Sequence, residues 1–278
     1  MLSSIKKIPI SALFYNAIAS CQLCGGRCIE ADSRLKIDDA NGYSSRHLCR
    51  FCFEDLPRFN PQLNSLNLLT WPSISALFEK RQFDQLFAVA PYIWPFNHWI
   101  TQFKYLQKFE LANLLAELMY FHWQQDAQTF QPLALHLSDG STTNETQRPI
   151  PDLVLSVPIH IQRWQERGFN QSHLIAKPFA QRHGYHYSDD FLIRTKHTEK
   201  QVGQNGSARR KRLIDAFALS DNAITHLENN AVQNVLLIDD VITTGATVNE
   251  ISRLLKAYGV QQVTVATICI ALPIEKGS

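Results

Sequence analysis

Apolar residues fall along this chain in two patterns. Continuous apolar runs read as strands buried on both faces of a parallel sheet, and residues recurring at three- and four-residue steps read as one face of a helix. The first pattern is clearest at Val235-Leu-Leu-Ile238, returns around Cys269 in Val263-Thr-Val-Ala-Thr-Ile-Cys-Ile-Ala-Leu272, and is cut short by proline in Pro151-Asp-Leu-Val-Leu-Ser-Val-Pro158. The second runs from Phe96 to Tyr120, where Trp99, Phe103, Leu106, Leu111, Leu114, Leu115 and Leu118 make one buried face. Lys104 lies on that predicted helix and reads as a solvated lysine, outside any site. Asn60 to Leu69 reads as a polar linker, Ser138 to Gln147 as a solvated loop, and Gln162 to Gln171 as a polar loop after the strand that ends at Pro158.

The residues after Ile238 turn the picture from fold to chemistry. Asp239 and Asp240 come at the carboxyl end of the strand, where ligands of parallel sheets gather. Thr243-Thr244-Gly245-Ala246-Thr247 then leads into a helix predicted to reach about Tyr258. Backbone N–H groups and three hydroxyls therefore converge at a helix N-terminus, which favours an anion. A phosphate in the turn with a polyol against the carboxylates describes a sugar-phosphate site. The stretch Val235 to Val248 resembles the PRPP-binding motif of type I phosphoribosyltransferases, and it is this resemblance that supplies the ligand. It implies that Asp239 and Asp240 hold the ribose 2′- and 3′-hydroxyls and that Thr243, Thr244, Gly245, Ala246 and Thr247 wrap the 5′-phosphate. A Walker A loop (G-x-x-x-x-G-K-[ST]) and a Rossmann turn (G-x-G-x-x-G) are both missing. The plain alternative is a buried strand with an Asp/Thr helix cap after it.

At 278 residues, 45% hydrophobic and 19% charged, the chain is long enough for one large core and a smaller domain. No stretch approaches eighteen uninterrupted apolar residues, and Met1-Leu-Ser-Ser-Ile-Lys-Lys-Ile-Pro lacks the features of a signal peptide. The expectation is a cytoplasmic protein without a membrane-spanning segment. Five of the six cysteines lie between residues 21 and 52, with Cys21-Gln-Leu-Cys24 and Cys49-Arg-Phe-Cys52 forming two C-x-x-C pairs. Two such pairs can present four sulfurs tetrahedrally to Zn²⁺, and so short a segment needs a metal to fold. Cys28 and His47 stand close enough in sequence to replace one of the four, and an iron–sulfur cluster is the other metal chemistry open to them. The expected division is a four-cysteine zinc-binding domain over 1–60, a linker and helical connection over 61–95, and the ligand-binding domain over 96–278.

Two further stretches are candidates to face the ligand. A loop leaving the strand at Pro158 would open on the same sheet edge as Asp239, which brings in Ile159, His160, Arg163, Arg167 and Gly168. In type I phosphoribosyltransferases the corresponding loop binds pyrophosphate. Arginines can take phosphates bidentately, and Gly168 admits close backbone approach. The other stretch, Arg194 to Phe217, holds seven Lys or Arg against Glu199 and Asp215, with Arg209-Arg-Lys-Arg212 at its densest. It suits a basic lid over pyrophosphate, a nucleic-acid backbone contact, or a solvated charge run.

Taken together, the double C-x-x-C module, Val157-Pro158, Arg167-Gly-Phe-Asn-Gln171, Thr195 to Gln201 with Arg209 and Ala216-Phe217, and the acidic-pair motif resemble the ComF/GntX family over nearly the whole chain. Arg212 departs from the family pattern. The resemblance implies an α/β fold, a type I phosphoribosyltransferase-like parallel sheet flanked by helices, with a small zinc-ribbon-like domain in front. It implies Zn²⁺ as a structural metal, Mg²⁺ with PRPP, and a role in natural transformation, with single-stranded DNA and DNA-uptake proteins as partners. The alternative is an active transferase acting on an unidentified nucleobase or other acceptor, and no residue stands out as catalytic.

Overall fold

In the computed structural model, residues 20–28, 45–60, 67–129, 150–195, 215–229 and 232–272 are described. The chain divides into two compact units, Met1–Pro57 and Arg58–Ser278. In the first, Cys21-Gln-Leu-Cys24 makes a tight turn closed by Gly25 N–H to Cys21 O (2.9 Å), Cys21 N–H to Gly26 O (2.7 Å) and an antiparallel bridge between Ser20 and Arg27. Gly25 takes the left-handed conformation that this turn requires (φ +72). The second cysteine pair opens the short helix α1 (Arg50–Glu54), whose first turn is closed by Phe53 N–H to Cys49 O. Among the described residues of this unit, Leu48, Phe53 and Leu56 are buried, together with Cys21 and Cys28.

The second unit alternates strands and helices. After α2 (Pro72–Ser75) come β1 (Gln85–Pro91), α3 (Phe96–Tyr105), α4 (Glu110–Thr129), β2 (Leu153–Ser156), α5 (Ile161–Arg167), α6 (Gln171–His183) and β3 (Tyr187–Ser188). Next are β4 (Leu192–Arg194), β5 (Phe217–Leu219), α7 (Asp221–Glu228), β6 (Asn234–Ile242), α8 (Ala246–Ala257) and β7 (Gln262–Ile270). Five strands form one parallel sheet in the order β1-β7-β6-β2-β3, while β4 and β5 pair antiparallel as a separate ribbon. From β2 the chain moves outward to β3, and from β6 it moves the other way to β7. The crevice between the carboxyl ends of β2 and β6 is therefore the topological switch point, where such sheets bind ligands. Val157 N–H donates to Ile238 O (2.9 Å), which brings the end of β2 beside the acidic pair. Among the described residues no helix is long and apolar enough to cross a membrane.

Several local expectations need correction. The helix expected from Phe96 to Tyr120 is two helices, because Gln107 is left-handed (φ 53) and breaks the backbone between α3 and α4. The break turns Leu106 outward (63% exposed), although the other six residues of the expected face are buried. The end of the stretch read as a polar linker is core: Leu68 and Leu69 are buried, and Asn67 Oδ1 accepts from the N–H groups of Leu69 and Leu86. Residues 85–91, within the stretch read as linker and connection, make the edge strand β1. The polar loop after Pro158 is mostly the helix α5, capped by His160 at its start and by left-handed Gly168 at its end (φ +78). Pairing of β6 continues past the acidic pair to Ile242, opposite Ile270, so Asp239 and Asp240 lie within the strand.

Leu237 sits fully buried in the central strand. Leu237→Ala should lower stability by roughly 2–5 kcal/mol in urea unfolding. Ile193→Ala, at a half-exposed position of β4, should cost less than about 1 kcal/mol. Equal losses at the two sites would contradict a core centred on β6.

Candidate functional site

The switch-point crevice is built from β6 and the turn beyond it. Asp239, Val241, Ile242 and residues Thr243 to Val248 line a pocket at the start of α8. Gly245 caps that helix in the left-handed conformation, with no side chain hydrogen-bonded across its first turn. The first N–H groups of α8 thus have neither an intrahelical partner nor a side-chain cap, which is the arrangement that receives an anion. No other residue fits at 245: φ is +68, and a Cβ would come 2.8 Å from the Phe78 ring. Thr244 Oγ1 is buried in this turn without a hydrogen-bond partner, so the pocket holds a hydroxyl with nothing in the protein to bond. Thr243 is exposed, Ala246 is buried and Thr247 is half-buried along the same turn.

The two acids are held by different helices. Asp239 lines the pocket, and its Oδ1 accepts from Ser172 Oγ (2.9 Å) at the start of α6 and from the Asp240 N–H (2.9 Å). Asp240 is buried, and its Oδ2 pairs with Lys104 Nζ of α3 at 2.7 Å. Burial, and then the charge of Asp240, push the Asp239 carboxyl up to about 6, with Lys104 and Ser172 acting the other way. Burial works against the charge on Lys104, but Asp240, Asp239 and Tyr92 hold its pKa above the usual lysine value. Lys104 is the residue that sequence reasoning missed. A single lysine on an amphipathic helix carries no local signal that it will meet an acid 136 positions later.

The stretch after β2 reaches the same edge. His160 is buried and caps α5 by accepting from Gln162 N–H through Nδ1. Ile159 and Arg163 are half-buried. Arg167 lies with its guanidinium 5.4 Å from the Tyr105 ring centre and donates to Gln171 Oε1 (3.3 Å). Phe169 packs between Phe103 (5.5 Å) and Phe109 (4.7 Å). Asn170 donates from Nδ2 to Val157 O (3.1 Å), and its Oδ1 caps α6 at Ser172 N–H. The segment Arg167 to Ser172 thus ties the loop after β2 to α3 on one side and, through the Ser172 hydroxyl, to Asp239 on the other. Arg209, with the basic stretch 196–214, lies outside the described residues; its two flanks are described, Arg194 pairing with Phe217 where β4 meets β5.

In the first unit the sulfurs of Cys21, Cys24, Cys49 and Cys52 all lie within 4.8 Å of one another, with Cys24 and Cys49 Sγ 3.8 Å apart. A tetrahedron of thiolates about 2.3 Å from a central Zn²⁺ has an edge of about 3.8 Å, so the four sulfurs fit a metal of that kind. Neither Cys28 nor His47 belongs to this group. Gly26 N–H points at Cys24 Sγ (3.4 Å), the backbone support a thiolate needs. Four cysteines this close can bind a metal ion such as zinc. Cys269 stands apart, fully buried in β7, its thiol pushed well up by burial and then by Asp240.

Comparison with known proteins agrees with this architecture. The family model described as the phosphoribosyl transferase domain matches residues 190–277, which include the acidic pair and the turn. Competence protein F of Haemophilus influenzae is 30% identical over 242 residues, covering 86% of this chain and 94% of that protein. DNA utilization protein YhgH of Escherichia coli K12 is 30% identical over 189 residues, 68% of this chain and 73% of that protein. Competence protein ComFC of Bacillus subtilis is 35% identical over 125 residues, 44% and 46% of the two chains. A relative matched along almost its whole length, a phosphoribosyl transferase domain at the switch point and a four-cysteine module before it place this chain in the ComF family.

Proposed function

We propose that the switch-point pocket binds PRPP, with its 5′-phosphate in the Thr243–Thr247 turn, its ribose hydroxyls at the acidic pair and its pyrophosphate toward Ile159, His160, Arg163, Arg167 and Gly168. One observation carries the reading. A buried, unpartnered Thr244 hydroxyl and uncapped helix N–H groups adjoin a pocket carboxylate at the end of a central parallel strand. Mg²⁺ would travel with the ligand and offset part of its phosphate charge, the rest of which the protein would meet with Arg163 and Arg167. Arg209 is assigned to the same end of the ligand from its place in the basic stretch.

The names of the relatives, competence protein and DNA utilization protein, support a role in handling DNA; that the DNA is incoming and single-stranded, met in the cytoplasm alongside DNA-uptake proteins, is what the family resemblance implies. Reduced thiols in a metal-binding module suit that compartment. The first unit is proposed to hold structural zinc through Cys21, Cys24, Cys49 and Cys52. Transfer of the phosphoribosyl group to a nucleobase is the second reading, favoured by the phosphoribosyl transferase domain match alone; fold does not fix a reaction.

Calorimetric titration with PRPP and Mg²⁺ tests the ligand. The parent protein should bind, and Asp239→Ala combined with Asp240→Ala should weaken binding at least about tenfold, since each charge-assisted hydrogen bond is worth roughly 1.5–3 kcal/mol. Unchanged affinity would remove the ribose assignment. Pyrophosphate release in the presence of a panel of nucleobases would move the reading to an active transferase.

Metal analysis tests the first unit: about one zinc per chain is expected, lost in Cys49→Ser with unfolding confined to the first unit. Zinc retained at full stoichiometry in that variant would transfer the fourth ligand to Cys28 or His47.

A further inference from the structure

Asp239 and Asp240 are neighbours in sequence, but only Asp239 lines the pocket. Asp240 is 6% exposed, and its outer oxygen is taken by Lys104 at 2.7 Å. Two adjacent carboxylates at one strand end repel each other and compete for a proton, and a cation is the direct remedy. That cation is held from both sides. Phe103, fully buried, packs against Phe169 in a tilted ring contact, while Tyr105 lies under the Arg167 guanidinium, so the residues flanking Lys104 are both gripped by the Arg167-Gly-Phe-Asn-Gln171 segment. The same segment runs on to Ser172, whose hydroxyl donates to Asp239. A buried ion pair adds little net stability compared with apolar residues of the same volume. What Lys104 supplies that a methionine would not is charge at that point.

We propose that Lys104 is the positioning residue of the acidic pair: it takes the Asp240 carboxylate out of the pocket and leaves Asp239 as the acid that meets the ligand. The proposal rests on the ribose-phosphate reading of the pocket and divides the labour within it. Asp239 is the ribose acceptor, and Asp240 with Lys104 is the buried support that keeps Asp239 ionised near neutral pH. The charged and titratable groups around the pair are Lys104 of α3, Tyr92 just beyond β1, Cys269 of β7, and the two acids themselves, with the Ser172 hydroxyl on the remaining side. Lys104 is the cation among them. Its removal leaves two carboxylates to share one proton, so the midpoint of Asp239 moves up. Because the ligand needs the ionised acid, affinity is then lost at lower pH and regained as pH rises.

The test uses the full chain, titrated calorimetrically with PRPP and Mg²⁺ between about pH 5.5 and 8.5, comparing parent, Lys104→Met, and Lys104→Met combined with Asp240→Asn. Titration of the ligand's own phosphates is common to all three and cancels in the comparison. Lys104→Met should bind about eightfold more weakly than the parent near pH 5.5, about threefold more weakly near pH 6.5 and about equally near pH 8.5, the signature of a midpoint raised by roughly one unit from about 6. The double variant, which removes both charges, should return the pH profile to that of the parent. If Lys104→Met keeps the parent's profile, or if the loss is uniform in pH and the double variant does not restore it, the proposal is overturned; the second result means that Lys104 touches the ligand itself. Carbon-13 NMR titration of Asp239 in the ligand-free proteins reads the same midpoints without PRPP. A raised midpoint in Lys104→Met there upholds the charge assignment even if the parent fails to bind PRPP, an outcome that sinks the ribose-phosphate reading instead. An unmoved midpoint overturns the assignment.

Discussion

Two carboxylates side by side at the end of a central, doubly covered strand are the constraint around which the second unit is arranged. The sheet order puts the end of β6 at the switch point, next to the end of β2, and neither acid can be moved to solvent without breaking the pairing of β6 with β7. Each acid is therefore answered from a different helix. The start of α6 gives Asp239 a hydroxyl and the positive end of a helix dipole, and α3 gives Asp240 an ammonium. Both helices are fixed relative to the strand by the segment Arg167 to Gln171, which packs Phe169 against α3 and caps α6 with Asn170. The segment's arginine and phenylalanine thereby hold the crevice together from the side.

The turn beyond the acids meets the opposite demand. There the first N–H groups of α8 have no side-chain cap and Thr244 Oγ1 has no partner, and Gly245 is required twice over, by its positive φ and by the Phe78 ring pressed against it. A carboxylate, Asp239, on one side of the pocket and unpaired donors in the turn give it two opposite polarities. A polyol is matched to the acids and an anion to the turn, and reversing the ligand would set like against like.

The acidic pair, the glycine turn and the four cysteines are legible in the sequence because each is a short run whose chemistry is contained in adjacent residues. So is the buried strand at Val235–Ile238, whose apolar side chains report burial on both faces. The end of that strand is not, because ladder pairing is a backbone property and continues through Asp239 and Asp240 regardless of their polarity. The split between α3 and α4 is hidden by Gln107, which adopts the left-handed conformation without being glycine or asparagine, while the apolar spacing runs unbroken across it. Gly168 reads in sequence as a close-approach glycine, but it acts as the left-handed end of a helix that begins at a histidine cap, an uncommon start signal. Lys104 is beyond reach for a different reason. Its role depends on a tertiary contact between α3 and β6, which no local pattern around residue 104 encodes.

The most direct test of the acid-and-turn division of this pocket is a crystal structure of the protein with PRPP and Mg²⁺ bound. The 5′-phosphate should lie in the turn of residues 243–247, accepting from the first N–H groups of α8 and from Thr244 Oγ1, with the ribose diol within hydrogen-bonding distance of Asp239. Lys104 should still be paired with Asp240. A phosphate seated elsewhere, with Thr244 Oγ1 left unpartnered and Asp239 bonded only to Ser172, would contradict it.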